Sequence, residues 1–153
     1  MRVDLPKRYV LGFLFSPGEK HVLLVEKKKP DWQADLWNGI GGKVEDDESE
    51  YEAMYRECRE ETRLRVKDWV PAGDLSGTAW RVGVWKATLR QGQMKRWRVE
   101  RETQQALRMF DVDSLPAEVI PNLHWLIPMC LDRHVGAFYV YEKDRLEDEG
   151  DEG

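Results

Sequence analysis

Between Ser49 and about Arg63 the apolar residues Tyr51, Met54, Tyr55 and Cys58 recur at spacings of three and four, while Glu57, Glu60 and Glu61 recur on a second stripe. That period belongs to an α-helix, in which residues three and four apart share a face. One side of such a helix needs a core to cover it and the other is acidic, so the chain must supply a layer to lay it against. Ser49 or Asp47 is the expected N-cap, with acids in the first turn where the helix dipole favours them.

The layer is announced upstream. Tyr9 to Phe15 (YVLGFLF) is a short apolar run followed by the turn-like Ser16-Pro17-Gly18-Glu19 and then by His21 to Val25 (HVLLV), the pattern of two strands joined by a turn. Lys27 to Asp35 is polar, contains Pro30 and reads as a loop. It leads into Leu36-Trp37-Asn38-Gly39-Ile40-Gly41-Gly42, where the glycines require backbone that bends sharply or is closely approached. Downstream, Trp80 to Leu89 reads as a strand with Gln91-Gly92-Gln93 as its following turn. Arg108-Met109-Phe110 reads as a short strand. Glu118 to His134 reads as a helix with Pro121 in its first turn and a kink at Pro128. Gly136 to Tyr141 reads as a closing strand. Strands, a helix, more strands and a second helix predict an α+β fold, a mixed sheet with helices on its faces.

A chain of 153 residues fits one core, so residues 1–146 are expected to form a single domain and the acidic residues 147–153 a frayed tail. Hydrophobic residues make up 41% and charged residues 35%, a globular composition. The net charge of −5 argues against a duplex nucleic acid partner, which calls for a basic face, and no apolar run reaches the length of a membrane span. The N-terminal residues lack the apolar centre of a signal peptide, which leads to the expectation of a cytoplasmic protein. Cys58 and Cys130 have no metal-ligand spacing and are expected to be buried thiols.

At about 100° per residue Glu57, Glu60 and Glu61 lie within roughly a quarter of the helix circumference, where three carboxylates repel one another unless a cation is present. No lysine stands at a stabilising i+4 position. Hard divalent cations such as Mg²⁺ take oxygen ligands, a few carboxylates with water, and bridge to phosphates. A carboxylate trio behind a glycine turn that can present a carbonyl therefore points to a phosphate-directed metal site. Arg56 lies beside the trio but points elsewhere on the helix, placed to pair with Glu48 at the helix start.

These residues also form a spaced pattern. Gly42, five residues, Glu48, seven residues and then Arg56-Glu57-Cys58-Arg59-Glu60-Glu61 resembles the Nudix box, a signature extending over 23 positions to Leu64. Cys58 stands where an aliphatic residue is usual. Arg63 replaces a glycine that ends the helix in a left-handed conformation, so it either bears about 1 kcal/mol of strain or the helix ends differently. The resemblance implies an α/β/α sandwich with the box as loop, helix and loop, and Mg²⁺- or Mn²⁺-dependent hydrolysis of a nucleoside diphosphate linked to another group. It implies Glu57, Glu60 and Glu61 as metal ligands, the Gly41 carbonyl as one more, and Glu48 with Arg56 as the supporting pair. Glu57 or Glu60 is the implied activator of water. Lys43 and Lys27 are candidates for contacting the phosphates.

The segment Leu36 to Val44 resembles that of MutT-related enzymes of the 8-oxo-dGTP diphosphatase kind, as does the region from Pro121 to Tyr139. This resemblance implies a small-molecule nucleotide partner, with Asn38 contacting the base and Trp32 stacking on it. Ile120, Asn122 and Leu123 occupy positions where those enzymes place a tryptophan and two aspartates that read oxidised guanine, so the base preference is expected to differ. Asn122 offers hydrogen bonds to another base or else caps a helix. Glu102, near Glu100 and Gln104, is a candidate additional acid. The expected reaction is cleavage of a nucleoside triphosphate to monophosphate and pyrophosphate. Alternatives are a Nudix hydrolase of ADP-ribose, dinucleoside polyphosphates or RNA 5′ ends, and a non-catalytic nucleotide-sensing module. Ala79 and Trp80 stand where some of those other subfamilies place a marking proline or tyrosine.

Overall fold

A computed structural model describes residues 5–27, 35–100 and 106–143, the side chains of 98–100 excepted. The expected acidic tail, Trp32 and Glu102 lie outside the described residues. The first apolar run is strand β1 (Lys7–Phe15), joined by a tight turn to β2 (His21–Glu26). Two short strands follow, β3 (Trp37–Asn38) and β4 (Ile40–Lys43), then helix α1 (Glu50–Thr62). The second half holds β5 (Val70–Ser76), β6 (Trp80–Thr88), α2 (Gln91–Glu100), β7 (Leu107–Asp111), α3 (Leu123–Leu131) and β8 (Phe138–Tyr141).

The eight strands form one mixed sheet whose main path runs β3-β2-β1-β6-β5-β8, with β4 pairing to β1 and β7 to β2. The β1–β6 and β5–β8 pairs are parallel and the others antiparallel. From Tyr9 to Phe15 β1 is apolar, and from Val10 onward it is buried because both of its faces are covered. Val10 and Leu14 point to one core with Ala53, Met54 and Cys58 of α1 and Met94 and Trp97 of α2. Leu11, Phe13 and Phe15 point to a second core with Leu123, Leu126 and Ile127 of α3. The result is the expected α/β/α sandwich.

Ser49 caps α1 through a reciprocal box: its hydroxyl accepts from the Glu52 amide at 3.1 Å, and the Glu52 carboxylate accepts from the Ser49 amide at 3.1 Å. The far end answers the question posed by Arg63. It adopts φ 64°, ψ 6° and donates its amide to the Arg59 carbonyl, so the left-handed ending is kept without the glycine. Thr62 is buried and helps close this end, donating to the Cys58 carbonyl at 2.7 Å and accepting from the Leu64 amide at 3.1 Å.

Several expectations are corrected. Gln91-Gly92-Gln93 is no turn but the start of α2: the Gln93 side chain accepts from the Arg90 amide at 2.9 Å, and Met94 and Trp97 anchor the helix one turn apart. β5 replaces a stretch with no expected strand. The helix expected over Glu118 to His134 is confined to Leu123–Leu131, because the chain before it bridges to Trp37 at Val119 and then turns at Pro121 and Asn122. Pro128 lies inside α3, and Pro121 precedes that helix. The closing strand begins at Phe138 rather than Gly136. Cys58 and Cys130 are free and buried, and burial raises both thiols to about 12. Among the described residues no helix is long and apolar enough to cross a membrane.

Candidate active site

The site forms where β4 passes the acidic face of α1. The box residues before the helix fold back on it: the Glu45 amide donates to Glu48 Oε1 at 3.0 Å, fixing the carboxylate for Arg56. Arg56 Nε donates to Glu48 Oε2 at 3.0 Å and Nη2 to Oε1 at 2.7 Å, a two-pronged pairing that uses the planarity of the guanidinium. Its Nη2 also reaches the Lys43 carbonyl at 3.1 Å, which ties strand, loop and helix together. The Arg56 bond holds the Glu48 carboxyl below its ordinary pKa, and Glu48 in turn raises that of Arg56.

Arg56 does not point away from the trio, contrary to expectation. Its Nη1 donates to Glu57 at 2.8 Å and to Glu60 at 3.3 Å. The latter is the i,i+4 cation that a search for lysines alone overlooks. Glu61 is held from the other side. Its Oε1 accepts from Lys27 Nζ at 2.9 Å and its Oε2 from the Gly41 amide at 3.1 Å, while the same ammonium reaches the Gly41 carbonyl at 3.5 Å. Lys27, expected at the phosphates, thus sits between two of the oxygens expected to ligate metal. The Lys43 side chain is exposed at the end of β4.

The electrostatics follow from this geometry. Glu57 and Glu61 are largely covered, with side chains 15% and 21% exposed, whereas Glu60 is 54% exposed. Burial pushes both Glu57 and Glu61 above the ordinary carboxylate range. Repulsion by Glu61 adds to the rise at Glu57, and Lys27 and the Gly41 amide oppose it at Glu61. The carboxylates do not converge on one point as they stand. Among the described residues no three acidic, histidine or cysteine side chains gather closely enough to hold a metal ion. The donor set fits a hard divalent cation: carboxylate oxygens and one backbone carbonyl, already sharing a cationic partner at Glu61 and Gly41.

Asn38 and Asn122 lie on neighbouring segments, because the Trp37 amide donates to the Glu118 carbonyl at 2.8 Å and the Ile120 amide to the Trp37 carbonyl at 2.9 Å. Asn38 Oδ1 accepts from the Gly39 amide at 2.8 Å. Asn122 occupies the N-cap position of α3 in helical conformation with no side-chain capping bond, and its Oδ1 is buried without a partner. Helix capping therefore does not explain this side chain. Trp37 meets Phe110 edge to face with centroids 5.0 Å apart, and the Arg108 guanidinium lies 5.5 Å from the Trp37 ring. This aromatic wall was not foreseen; its signal, two aromatics and an arginine on strands distant in sequence, exists only once β7 is paired with β2.

The model of the NUDIX domain matches residues 5–127. The chain belongs to this family. Solved structures share its fold: a NUDIX hydrolase from Nitrosomonas europaea has a TM-score of 0.69 at 16% identity, covering 94% of this chain and 82% of that one. A MutT protein from Bacillus halodurans has 0.65 at 21%, covering 90% and 89%. The NUDIX domain of Shewanella oneidensis NrtR, in complex with ADP ribose, has 0.64 at 17%, covering 88% and 90%. In sequence, CTP pyrophosphohydrolase of Escherichia coli (strain K12) is 44% identical over 45 residues, which are 29% of this chain and 33% of that protein. Nudix enzymes generally use divalent metal ions, and the fold of this chain is shared with the MutT protein.

Proposed function

We propose that this Nudix chain is a Mg²⁺- or Mn²⁺-dependent hydrolase that cleaves a nucleoside triphosphate to a monophosphate and pyrophosphate. The observation that carries this reading is the meeting of the Glu61 carboxylate and the Gly41 carbonyl on one cation, the Lys27 ammonium, beside Glu57 and Glu60. A divalent ion bound there supplies neutralisation of the phosphate charge and a lowered pKa for the attacking water. The chain's own residues provide its seat in Glu57, Glu60, Glu61 and the Gly41 carbonyl. Arg56 orients Glu57 and Glu60, and Glu48 holds Arg56. Glu57 or Glu60 accepts the proton of the water. Lys27, released from Glu61, and Lys43 are the cations available to the phosphates.

Asn38 and Asn122 read the base. A buried oxygen without a partner costs stability unless a ligand or water satisfies it, and the Asn122 Oδ1 has that character. An amide in place of a carboxylate presents an acceptor and a donor to the base edge, which disfavours the contacts suited to oxidised guanine. The similarity to CTP pyrophosphohydrolase supports the triphosphate reaction.

The test is a panel of ribo- and deoxyribonucleoside triphosphates, oxidised dNTPs, ADP-ribose and dinucleoside polyphosphates with Mg²⁺, following monophosphate and pyrophosphate. Release of both from a triphosphate supports the reading. Turnover of ADP-ribose or dinucleotides alone, or of nothing, overturns it.

A further inference from the structure

Against Glu60 lies a groove of about 460 Å³ lined by Arg59, Glu60, Arg63, Arg65 and Arg96. Its volume falls in the range of small-ligand sites, roughly 300–1,000 Å³. Among the described residues the Arg59, Arg63 and Arg65 guanidiniums make no ion pair, and they line the groove with Arg96 and Glu60 in a chain whose overall charge is −5.

The fold assembles this cluster from three places. Arg59 and Glu60 belong to the last turns of α1, and Arg63 is the residue that ends it. Past the helix Leu64 and Val66 are buried in the core that α1 covers, while Arg63 and Arg65 are exposed. α2 is anchored in the same core by Met94 and Trp97, and it contributes Arg96 to the groove's lining.

A helix C-terminus favours nearby cations, but its dipole amounts to roughly half a charge, and an arginine such as Arg59 satisfies it. Further guanidiniums repel one another and need an anion to offset the cost. Arg63 also holds a left-handed conformation that costs an arginine about 1 kcal/mol relative to glycine, a strain of the kind found at functional positions.

We propose that this groove binds an oligophosphate anion, a chain of two or three phosphates, outside the seat of the divalent cation. Guanidinium forks match phosphate oxygens in pairs, and each phosphate carries roughly one to two negative charges against the groove's surplus of cations. Glu60 lines the groove and is also bonded to Arg56, so the two sites share a wall. The relation of the groove to hydrolysis rests on the proposed function; the binding itself does not. Two occupants share this chemistry: the phosphate tail of the substrate, and free pyrophosphate.

The experiment titrates inorganic tripolyphosphate into the full chain by calorimetry at low salt with EDTA present, so that divalent cations play no part and failure of the hydrolytic reading leaves the result intact. Saturable binding is expected, weakened at least about tenfold in Arg59→Gln/Arg65→Gln and unchanged in the exposed control Lys20→Gln/Arg133→Gln. Thermal unfolding checks that each variant is folded. Absence of binding by the wild-type chain, retention of full affinity by the Arg59/Arg65 variant, or equal loss in the control overturns the proposal. Kinetics then separate the occupants: a raised KM for nucleotide at constant kcat identifies the substrate's tail, whereas an unchanged KM with loss of inhibition by added pyrophosphate identifies the free anion.

Discussion

Arg56 grips Glu48 with two edges of its guanidinium, at 3.0 and 2.7 Å, and keeps its remaining nitrogen for Glu57 and Glu60. One side chain therefore sets both the fold of the box loop and the aim of two carboxylates. A lysine has a single ammonium and cannot span these partners. Arg56→Lys is expected to cost about 1–3 kcal/mol of stability, from the loss of charge-assisted bonds around a mostly buried Glu48. Activity should fall roughly 10–100-fold, the usual effect of losing an orienting partner. Urea unfolding and initial rates check this; a variant with full activity contradicts the positioning role.

The adjacent glycines respond differently to the same change. A Cβ on Gly42 would stand 2.5 Å from Glu57 Oε1, the movable end of a side chain, whereas one on Gly41 would collide with the backbone carbonyl of Val10. Gly42→Ala should leave the fold within about 1 kcal/mol of wild type and displace Glu57, lowering the rate. Gly41→Ala should force β4 off β1 and cost about 2 kcal/mol or more. Paired unfolding and rate measurements separate the two, and equal stability losses refute the distinction.

Glu57 gives a pH signature. Burial and then Glu61 raise its pKa above the ordinary 4.5, so the folded chain holds this proton more tightly than the unfolded one. Its contribution is full below 4.5 and is lost as pH rises through the elevated folded value. Ionised Glu57 is thus a burden on the fold at pH about 8 when no divalent cation is present. In EDTA, Glu57→Gln should be more stable than wild type at that pH, with the advantage vanishing in mild acid. Denaturant unfolding at both pH values reads this out; a destabilised variant at alkaline pH sinks the assignment.

Arg63 pays for its left-handed backbone, and glycine would not. Arg63→Gly should raise stability by about 1 kcal/mol, a rise in Tm of roughly 2–4 °C for a chain of this size. A lower Tm would show that contacts of the arginine outweigh the strain.

Much of this architecture is legible in local sequence. β1, β2 and β6 announce themselves as apolar or alternating runs, and the Ser49 box and the spacing of Glu57, Glu60 and Glu61 define α1 and its chemistry. What escaped depends on partners distant in the chain. β5 contains Pro71 and Gly73 and is a strand because β6 and β8 flank it. Gly92 suggests a turn until Met94 and Trp97 find the core. The reach of Lys27 to Glu61 spans 34 positions, and the arginine groove joins α1, the segment after it and α2. Asn122 was legible as a polar residue worth weighing, but only the fold shows that it caps nothing.

The central claim is that the α1 carboxylates hold a divalent cation, and Mn²⁺ titration followed by electron paramagnetic resonance addresses it without any substrate. Wild type should bind Mn²⁺ in competition with Mg²⁺, and Glu57→Gln/Glu60→Gln should bind at least about tenfold more weakly while remaining folded. Equal Mn²⁺ affinity in the two proteins would contradict the account.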